Sequence, residues 1–378
     1  MPNQHQTITT EKARQIARLF KKGLSSREVS RHTGVDSTSC LRYKDGPKAP
    51  TPKTPEELES AIRTLLRRGH RSAKDLASEL GARIGKIREA VSALQERGVM
   101  VIELPGGAYD LAPTSALEGG RHEIRGNVDA EWTHHFGVTS DNHLCSRHSR
   151  LDVLNAAYDH FRRQGITTVF NAGNWIDGEA RFNKAELVTA PGMDNQLDYL
   201  IDKYPLRAGI TTHYIAGDDH EGWYAQREGI EIGNYLQIRA EKQGRTDLKY
   251  LGYAECDVEL KCGSGSSVMR VLHPGGGSAY ATSYTAQKIV ESYQGGEKPS
   301  VLIIGHYHKA EYGYPREVHC VQAGCTQDQS LFMRKKKIAA HVGFWEVKLK
   351  QDARGIITRC AVEWFPFFDR GFYEKRYR

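Results

Sequence analysis

Residues 301–308 read Val301-Leu302-Ile303-Ile304-Gly305-His306-Tyr307-His308. Four consecutive β-formers fit a strand buried on both faces. A glycine ends the run, and two histidines follow at alternate positions. Four other β-rich runs end in the same manner. His134–Ser140 leads into Asp141-Asn142-His143, and Thr167–Ala172 into Gly173-Asn174-Trp175-Ile176-Asp177. Thr211–Ala216 leads into Gly217-Asp218-Asp219-His220-Glu221, and Val268–Leu272 into His273. Helical runs stand between them, near Leu151–Arg163, Met193–Tyr204 and Tyr224–Lys242. Strands alternating with helices predict parallel pairing, and such sheets gather ligands at the carboxyl ends of their strands. A lone histidine is an ordinary surface or core residue. Five clusters of Asp, Asn and His at equivalent strand ends instead predict one site. Val318–Ala323 and the hairpin Gly343–Lys350/Gly355–Trp364 add later, antiparallel strands, so residues 128–378 read as one layered α/β domain.

The order of these motifs resembles that of the calcineurin-like metallophosphoesterases. Their signature runs Asp-x-His, Gly-Asp, Gly-Asn-His-(Asp/Glu), His and Gly-His-x-His, and it covers residues 130–350 of this chain. Gly313-Tyr314-Pro315 and Gln322-Ala323-Gly324-Cys325 look most like phage- or prophage-encoded members. The resemblance implies an α/β fold, a four-layer αββα sandwich. It also implies two divalent metal ions, manganese foremost, with iron, zinc, nickel or magnesium as alternatives. Two such ions about 3.5–4 Å apart polarise one phosphate and activate a water. Each needs mixed imidazole and carboxylate ligands and an open position. By resemblance, Asp141, His143 and His308 hold the first ion, and Asp219, His273 and His306 the second. His220 would stabilise the transition state or protonate the leaving oxygen.

Two positions depart from the family. Its bridging Asp is Asn174 here, and its terminal Asn is Asp219. The expectation is an exchange, in which Asn174 binds one ion or none and Asp219 leans between the two. A weakened or single-metal site is the competing expectation. Asp177 is a candidate helper or a helix cap. His273 precedes Pro274, and Gly275-Gly276-Gly277 fits either close phosphate approach or a flexible turn. His134, His135, His148, His213, His319 and His341 read as structural or surface residues.

Upstream, residues 1–46 read as a helix-turn-helix. Ala13, Ile16, Ala17 and Phe20 form one helical face, and Gly23 ends it. Ser25-Ser26-Arg27-Glu28 reads as a capping box, Thr33-Gly34-Val35 as a tight turn, and Asp36-Ser37-Thr38-Ser39 as the start of a third helix. The segment resembles the DNA-binding units of resolvases and transposases. Ser37, Thr38, Ser39 and Arg42 would then face the groove, with Arg27, Arg31 and Lys44 among the DNA contacts. Residues 47–54 form a Pro-rich linker. Residues 55–113, three helices and a β-hairpin, resemble a winged helix whose recognition helix carries Arg83 and Lys86. Residues 114–127 read as a polar joint.

The 378 residues carry 53 basic and 46 acidic side chains. Residues 1–127 hold 22 of the basic and 15 of the acidic ones, and the remainder is balanced. A basic arm on a neutral body points to a polyanion partner. Arg334-Lys335-Lys336-Lys337 beside Phe332 is a second, local basic tract that fits a nucleic-acid backbone or a solvated loop. Seven scattered cysteines with no Cys-x-x-Cys exclude a disulfide scaffold and point to a reducing cytoplasm. No apolar run approaches the length of a membrane span. The expected function is metal-dependent hydrolysis of phosphodiester bonds in DNA. The alternatives are a phosphomonoesterase or cyclic-nucleotide phosphodiesterase held near DNA, and a catalytically decayed DNA-binding regulator.

Overall fold

The computed structural model describes residues 10–44, 54–97, 99, 101–104, 106–111, 122–179, 188–277 and 279–367. The linker read at 47–54 lies outside the described residues except for Thr54, as do residues 114–121. The chain divides into two compact units, Met1–Leu94 with Val101–Leu111, and Gln95–Met100 with Ala112–Arg378.

In the first unit, α1 (Thr10–Lys21), α2 (Ser26–Thr33) and α3 (Ser37–Arg42) follow one another closely. Ser25 and Glu28 close a capping box on α2, Gly34 ends that helix in the left-handed region, and Asp36 caps α3 by accepting from the Ser39 amide. Ile16, Val29 and Cys40 form their shared core. Next come α4 (Pro55–Leu66), β1 (Arg71–Ser72), α5 (Ala73–Leu80), α6 (Ile84–Glu96), β2 (Val101–Leu104) and β3 (Ala108–Leu111). The strands pair antiparallel in the order β1-β3-β2. Thr54 caps α4 and Ser72 caps α5.

The second unit is a mixed α/β sandwich. Its elements are β4 (His122–Gly126), β5 (His134–Thr139), α7 (Leu151–Arg163), β6 (Thr168–Asn171), α8 (Met193–Lys203), β7 (Thr211–Ala216), α9 (Gly222–Glu228), α10 (Ile232–Lys242) and β8 (Leu248–Tyr253). They continue with β9 (Glu255–Cys262), β10 (Gly265–Leu272), α11 (Thr282–Ser292), β11 (Val301–Ile304), β12 (Ala310–Gly313), β13 (His319–Ala323), α12 (Leu331–Lys336), β14 (Gly343–Gln351) and β15 (Ile357–Pro366). One sheet has the order β15-β14-β5-β6-β7-β8, with β5 to β8 parallel. The other has the order β12-β13-β11-β10-β9-β4, with β10, β11 and β13 parallel. Phe136, Val138, Phe170 and Ile215 of the first sheet meet Val258, Met269, Val271, Ile303 and Val321 of the second in one core. The alternate residues Leu302 and Ile304 pack on the far side against Ala286 and Val290 of α11. This explains why β11 is apolar at every position.

Three sequence readings change. The joint read at 114–127 becomes a strand at His122, because Ile124 reaches the core while Glu123 and Arg125 face outward. β4 then pairs in parallel with β9. The single helix read over Tyr224–Lys242 is two, since Gly229 ends α9 with φ 68°. Val318–Ala323, read as a later antiparallel strand, pairs in parallel with β11 and is antiparallel only to β12.

His135 has a structural partner. Glu346 on β14 is buried, with His135 Nε2 at 2.9 Å, His160 Nε2 at 2.7 Å and Lys348 Nζ at 2.8 Å. Burial alone would raise its pKa; Lys348 and the two histidines outweigh that and lower it to about 2. A depressed carboxylate contributes stability above its unfolded pKa and loses it as the pH falls through the folded one. Glu346→Gln is therefore expected to cost about 1–3 kcal/mol at neutral pH. Its gap from the parent should narrow as the pH falls from about 4.5 toward 2. Urea melts of both proteins across that range provide the measurement.

Candidate metal centre

The parallel strands of both sheets send their carboxyl ends to one edge. The loops after β5, β6, β7, β10 and β11 are stitched there by backbone hydrogen bonds. Asp141 N donates to Gly173 O, His143 N to Asn174 O, His273 N to Ala254 O and Gly305 N to Leu272 O. The approach is close enough to require glycine. A Cβ at Gly305 would stand 2.3 Å from Ala172 O and 2.5 Å from Ser140 Oγ. One at Gly217 would stand 2.6 Å from Asn174 Oδ1. Asp141, His143, Asn174, His306 and His308 all have φ between 45° and 76°, a region non-glycine residues rarely occupy. Each such residue costs on the order of 1–3 kcal/mol, and the strain gathers at this edge.

Two groups of ligand-type atoms result, and either could hold a metal ion. In the first, His308 Nε2 lies 3.4 Å from Asp141 Oδ1, 3.2 Å from His143 Nε2, and His143 Nε2 is 3.9 Å from Asp141 Oδ1. In the second, Asp219 Oδ1 lies 3.6 Å from His273 Nε2, and its Oδ2 lies 3.4 Å from His306 Nδ1. Ligands about 2.0–2.2 Å from one ion stand roughly 3–3.5 Å from each other, so both groups have suitable spacing.

The tautomers fit as well. His273 Nδ1 donates to Ala172 O at 2.6 Å, and His306 Nε2 donates to Gly276 O at 2.7 Å. In the neutral rings, the form that binds a cation, the lone pairs are thus left on His273 Nε2 and His306 Nδ1. Those two atoms, Asp219 Oδ1 and Asn174 Oδ1 are buried and have no hydrogen-bond partner. Buried polar atoms are rarely left in that condition, and a cation satisfies all four together.

The charge balance points the same way. Burial alone would raise the pKa of Asp141, but His308, His273 and His143 hold it well below the usual carboxylate range. His273 and His306 do the same for Asp219. Burial alone would lower His273, yet Asp219 and Asp141 raise it to about 9. Carboxylates that draw positive charge onto their neighbours form a site for a cation. Burial, with His220 and His308 alongside, keeps His143 neutral.

The short contacts of Asp219 are to His273 and His306, in the second group. Asn174 is bonded to the first group: its Nδ2 donates to Asp141 Oδ1 at 3.3 Å. A Cβ at Gly217 would meet both Asn174 Oδ1, at 2.6 Å, and the His273 ring, at 2.8 Å.

His220 sits against the first group, its ring centroid 4.3 Å from that of His143. His220 Nδ1 donates to the Asp177 carbonyl at 2.7 Å. Asp177 Oδ1 lies 3.2 Å from His143 Nδ1 and 3.9 Å from His220 Nδ1, a third grouping of ligand-type atoms. Asp177 is the N-cap of none of the described helices, and burial raises its pKa to about 7. Glu221 is the residue that the sequence reading missed. It is fully buried, and its Oε1 accepts from the Asn174 and Gly217 amides at 2.8 and 2.7 Å. Burial pushes it up to about 8. Its place directly after His220 was visible; its two amide donors come from loops that only the fold brings together.

The residues read as DNA contacts lie in the first unit. Arg27 and Arg31 are exposed on α2, Thr38 is exposed on α3 with Ser37 and Ser39 half-buried, and Lys44 is exposed just beyond. Arg42 ends α3, with its side chain outside the described residues. Arg83 and Lys86 are exposed at the start of α6. All seven cysteines are free. Among the described residues, no helix is long and apolar enough to cross a membrane.

No protein-family model and no curated protein matches the chain. Solved structures do. One is a novel archaeal phosphodiesterase, 12% identical, covering 61% of this chain and 100% of its own, with a TM-score of 0.33. Another is the zinc-complexed Vps29 of Entamoeba histolytica, 14% identical, covering 61% and 99%, with a TM-score of 0.30. A third is a 5'-nucleotidase precursor of Thermus thermophilus, 14% identical, covering 64% of this chain and 57% of its own, with a TM-score of 0.32. The mixed α/β sandwich and its clustered Asp and His residues are consistent with the calcineurin-like phosphoesterase fold.

Proposed function

We propose that the chain is a calcineurin-like, metal-dependent phosphodiesterase that cleaves DNA, and that its N-terminal helix-turn-helix and winged-helix units hold the substrate. The observation that carries this reading is the pair of Asp–His groups on one sheet edge, with four buried, unpartnered donor atoms turned inward. Asp141, His143 and His308 hold one divalent ion, and Asp219, His273 and His306 the other, with Asn174 bonded to Asp141. When bound, the ions supply Lewis-acid charge to the phosphate and lower the pKa of a water nucleophile. His220, its ring plane set by the Asp177 carbonyl, stabilises the developing charge or delivers a proton to the leaving sugar oxygen. The exposed basic side chains of α2 and α6 and the basic excess of residues 1–127 support DNA as the partner.

The neutral amide of Asn174 favours a second reading, a DNA-binding regulator with a decayed site. One experiment separates the two. The parent and His306→Ala are incubated with Mn²⁺ on single-stranded DNA, duplex DNA, RNA and a small aryl phosphodiester. The variant is expected to lose nearly all turnover while keeping its DNA affinity. Equal turnover in both would remove His306 from the site. A parent that binds DNA but turns over nothing would support the regulator, and turnover of small phosphoesters alone would support a phosphomonoesterase or cyclic-nucleotide phosphodiesterase.

A further inference from the structure

The segment from Thr326 to His341 is an excursion from the sheet edge, and its two ends are fastened to the first Asp–His group. Thr326 N donates to Asp141 O at 3.2 Å, and His341 N donates to His308 O at 2.8 Å. A parallel bridge between Cys325 and Val342 closes the base. Gln329 Nε2 ties the two limbs together by donating to Ile338 O. Asp328 N donates to His148 O, and the Asp328 carboxylate accepts from Arg150. Between these anchors stands α12, with Met333 as its buried residue. Leu331 and Phe332 are exposed, and so are Arg334, Lys335, Lys336 and Lys337. The excursion carries four cations and one acid, and that acid, Asp328, is bonded to Arg150.

Lys337 holds a further clue. It ends α12 with φ 57° and ψ 36°, the left-handed cap conformation that glycine adopts without strain. A lysine there costs backbone strain and returns only its charge.

We infer that this excursion is the strand-holding element of the α/β unit. It binds a single-stranded nucleic acid, with Lys335, Lys336 and Lys337 on successive phosphates and Phe332 as a stacking surface for a base. Lysines track a backbone electrostatically, and an exposed aromatic ring beside them stacks bases with little regard to sequence. The fastening of both ends to Asp141 and His308 sets the held strand beside the first group. That step rests on the function proposed above; the binding itself does not.

The test uses the full chain and a fluorescent oligo(dT), with affinity measured by anisotropy over a range of salt concentrations. Lys335→Glu/Lys336→Glu is expected to weaken binding at least tenfold. It should also flatten the slope of log affinity against log salt by roughly 1.5, since each lost phosphate contact removes about 0.7. Lys337→Gly is expected to weaken binding severalfold with an unchanged or raised Tm, which separates loss of charge from loss of fold. Phe332→Ala should weaken binding with no change in slope. Affinity and slope equal to the parent's in all three would overturn the proposal. So would variants that keep oligo(dT) binding but lose binding to phosphatidylserine-containing vesicles. Weakened binding in a protein that hydrolyses none of the substrates tested above upholds this site and defeats the hydrolytic reading alone.

Discussion

Asp141→Asn should lower metal-dependent phosphodiester hydrolysis by about a thousandfold or more while leaving the chain folded. Losing a partner that merely orients a metal ligand costs about 10–100-fold, and losing a charged ligand exceeds that. Asp141 is fully buried, and each of its oxygens is engaged. Oδ2 accepts from Ser140 Oγ at 2.6 Å and from His306 N at 2.9 Å. Oδ1 accepts from Asn174 Nδ2 at 3.3 Å and faces His308 Nε2 at 3.4 Å. Every neighbour is a donor or an imidazole of the same Asp–His group. An amide nitrogen in either position therefore sets donor against donor and leaves the group without its anion. The structural cost is about 1–3 kcal/mol, which a sandwich of this size tolerates. Metal content per chain and turnover of an aryl phosphodiester, measured together, decide the matter. A variant with parent-like turnover would show that Asp141 is not at the reacting centre; one that keeps its full metal content would show that it is not a ligand.

The strand ends were legible because β-rich runs and their terminal Asp, Asn and His residues are local features. Val301–Ile304, Thr211–Ala216 and Leu151–Arg163 fall where the hydrophobic pattern puts them. The caps at Ser25 and Asp36 were legible for the same reason. What was hidden depends on residues distant in sequence. Glu221 acquires its two amide donors only when the loops after β6 and β7 meet. Asn174, read as binding one ion or none, reaches Asp141 because its loop is stitched to the one holding that residue. The left-handed backbone at Asp141, His143, His306 and His308 leaves no mark in residue type, since those side chains are there for their chemistry. The break at Gly229 was legible in principle: a glycine inside a helical run is a stop signal, and the apolar pattern on either side outweighed it.

Trp175→Ala should produce the largest loss of stability among single substitutions near the site, and it should weaken metal binding as well. Trp175 is almost fully buried and packs edge-on against Tyr214, with ring centroids 5.8 Å apart. Its Nε1 donates to Ile215 O at 3.0 Å. Its carbonyl accepts from Leu144 N, whose own carbonyl accepts from Asp177 N. The indole thus fixes the loop that carries Asn174 and Asp177 against the loop that carries Asp141 and His143. Truncating a buried tryptophan costs about 3–5 kcal/mol, which corresponds to a fall of roughly 6–15 °C in Tm for a unit of this size. Phenylalanine at the same position refills most of the cavity but leaves the Ile215 carbonyl without its donor, so about 1–3 kcal/mol should remain lost. The order parent, phenylalanine, alanine should hold for Tm and for metal affinity alike, because both draw on the same pair of loops. A Tm that follows this order while metal affinity stays constant would mean that the loop after β6 contributes packing alone. In that case Asn174 would have no part in holding an ion.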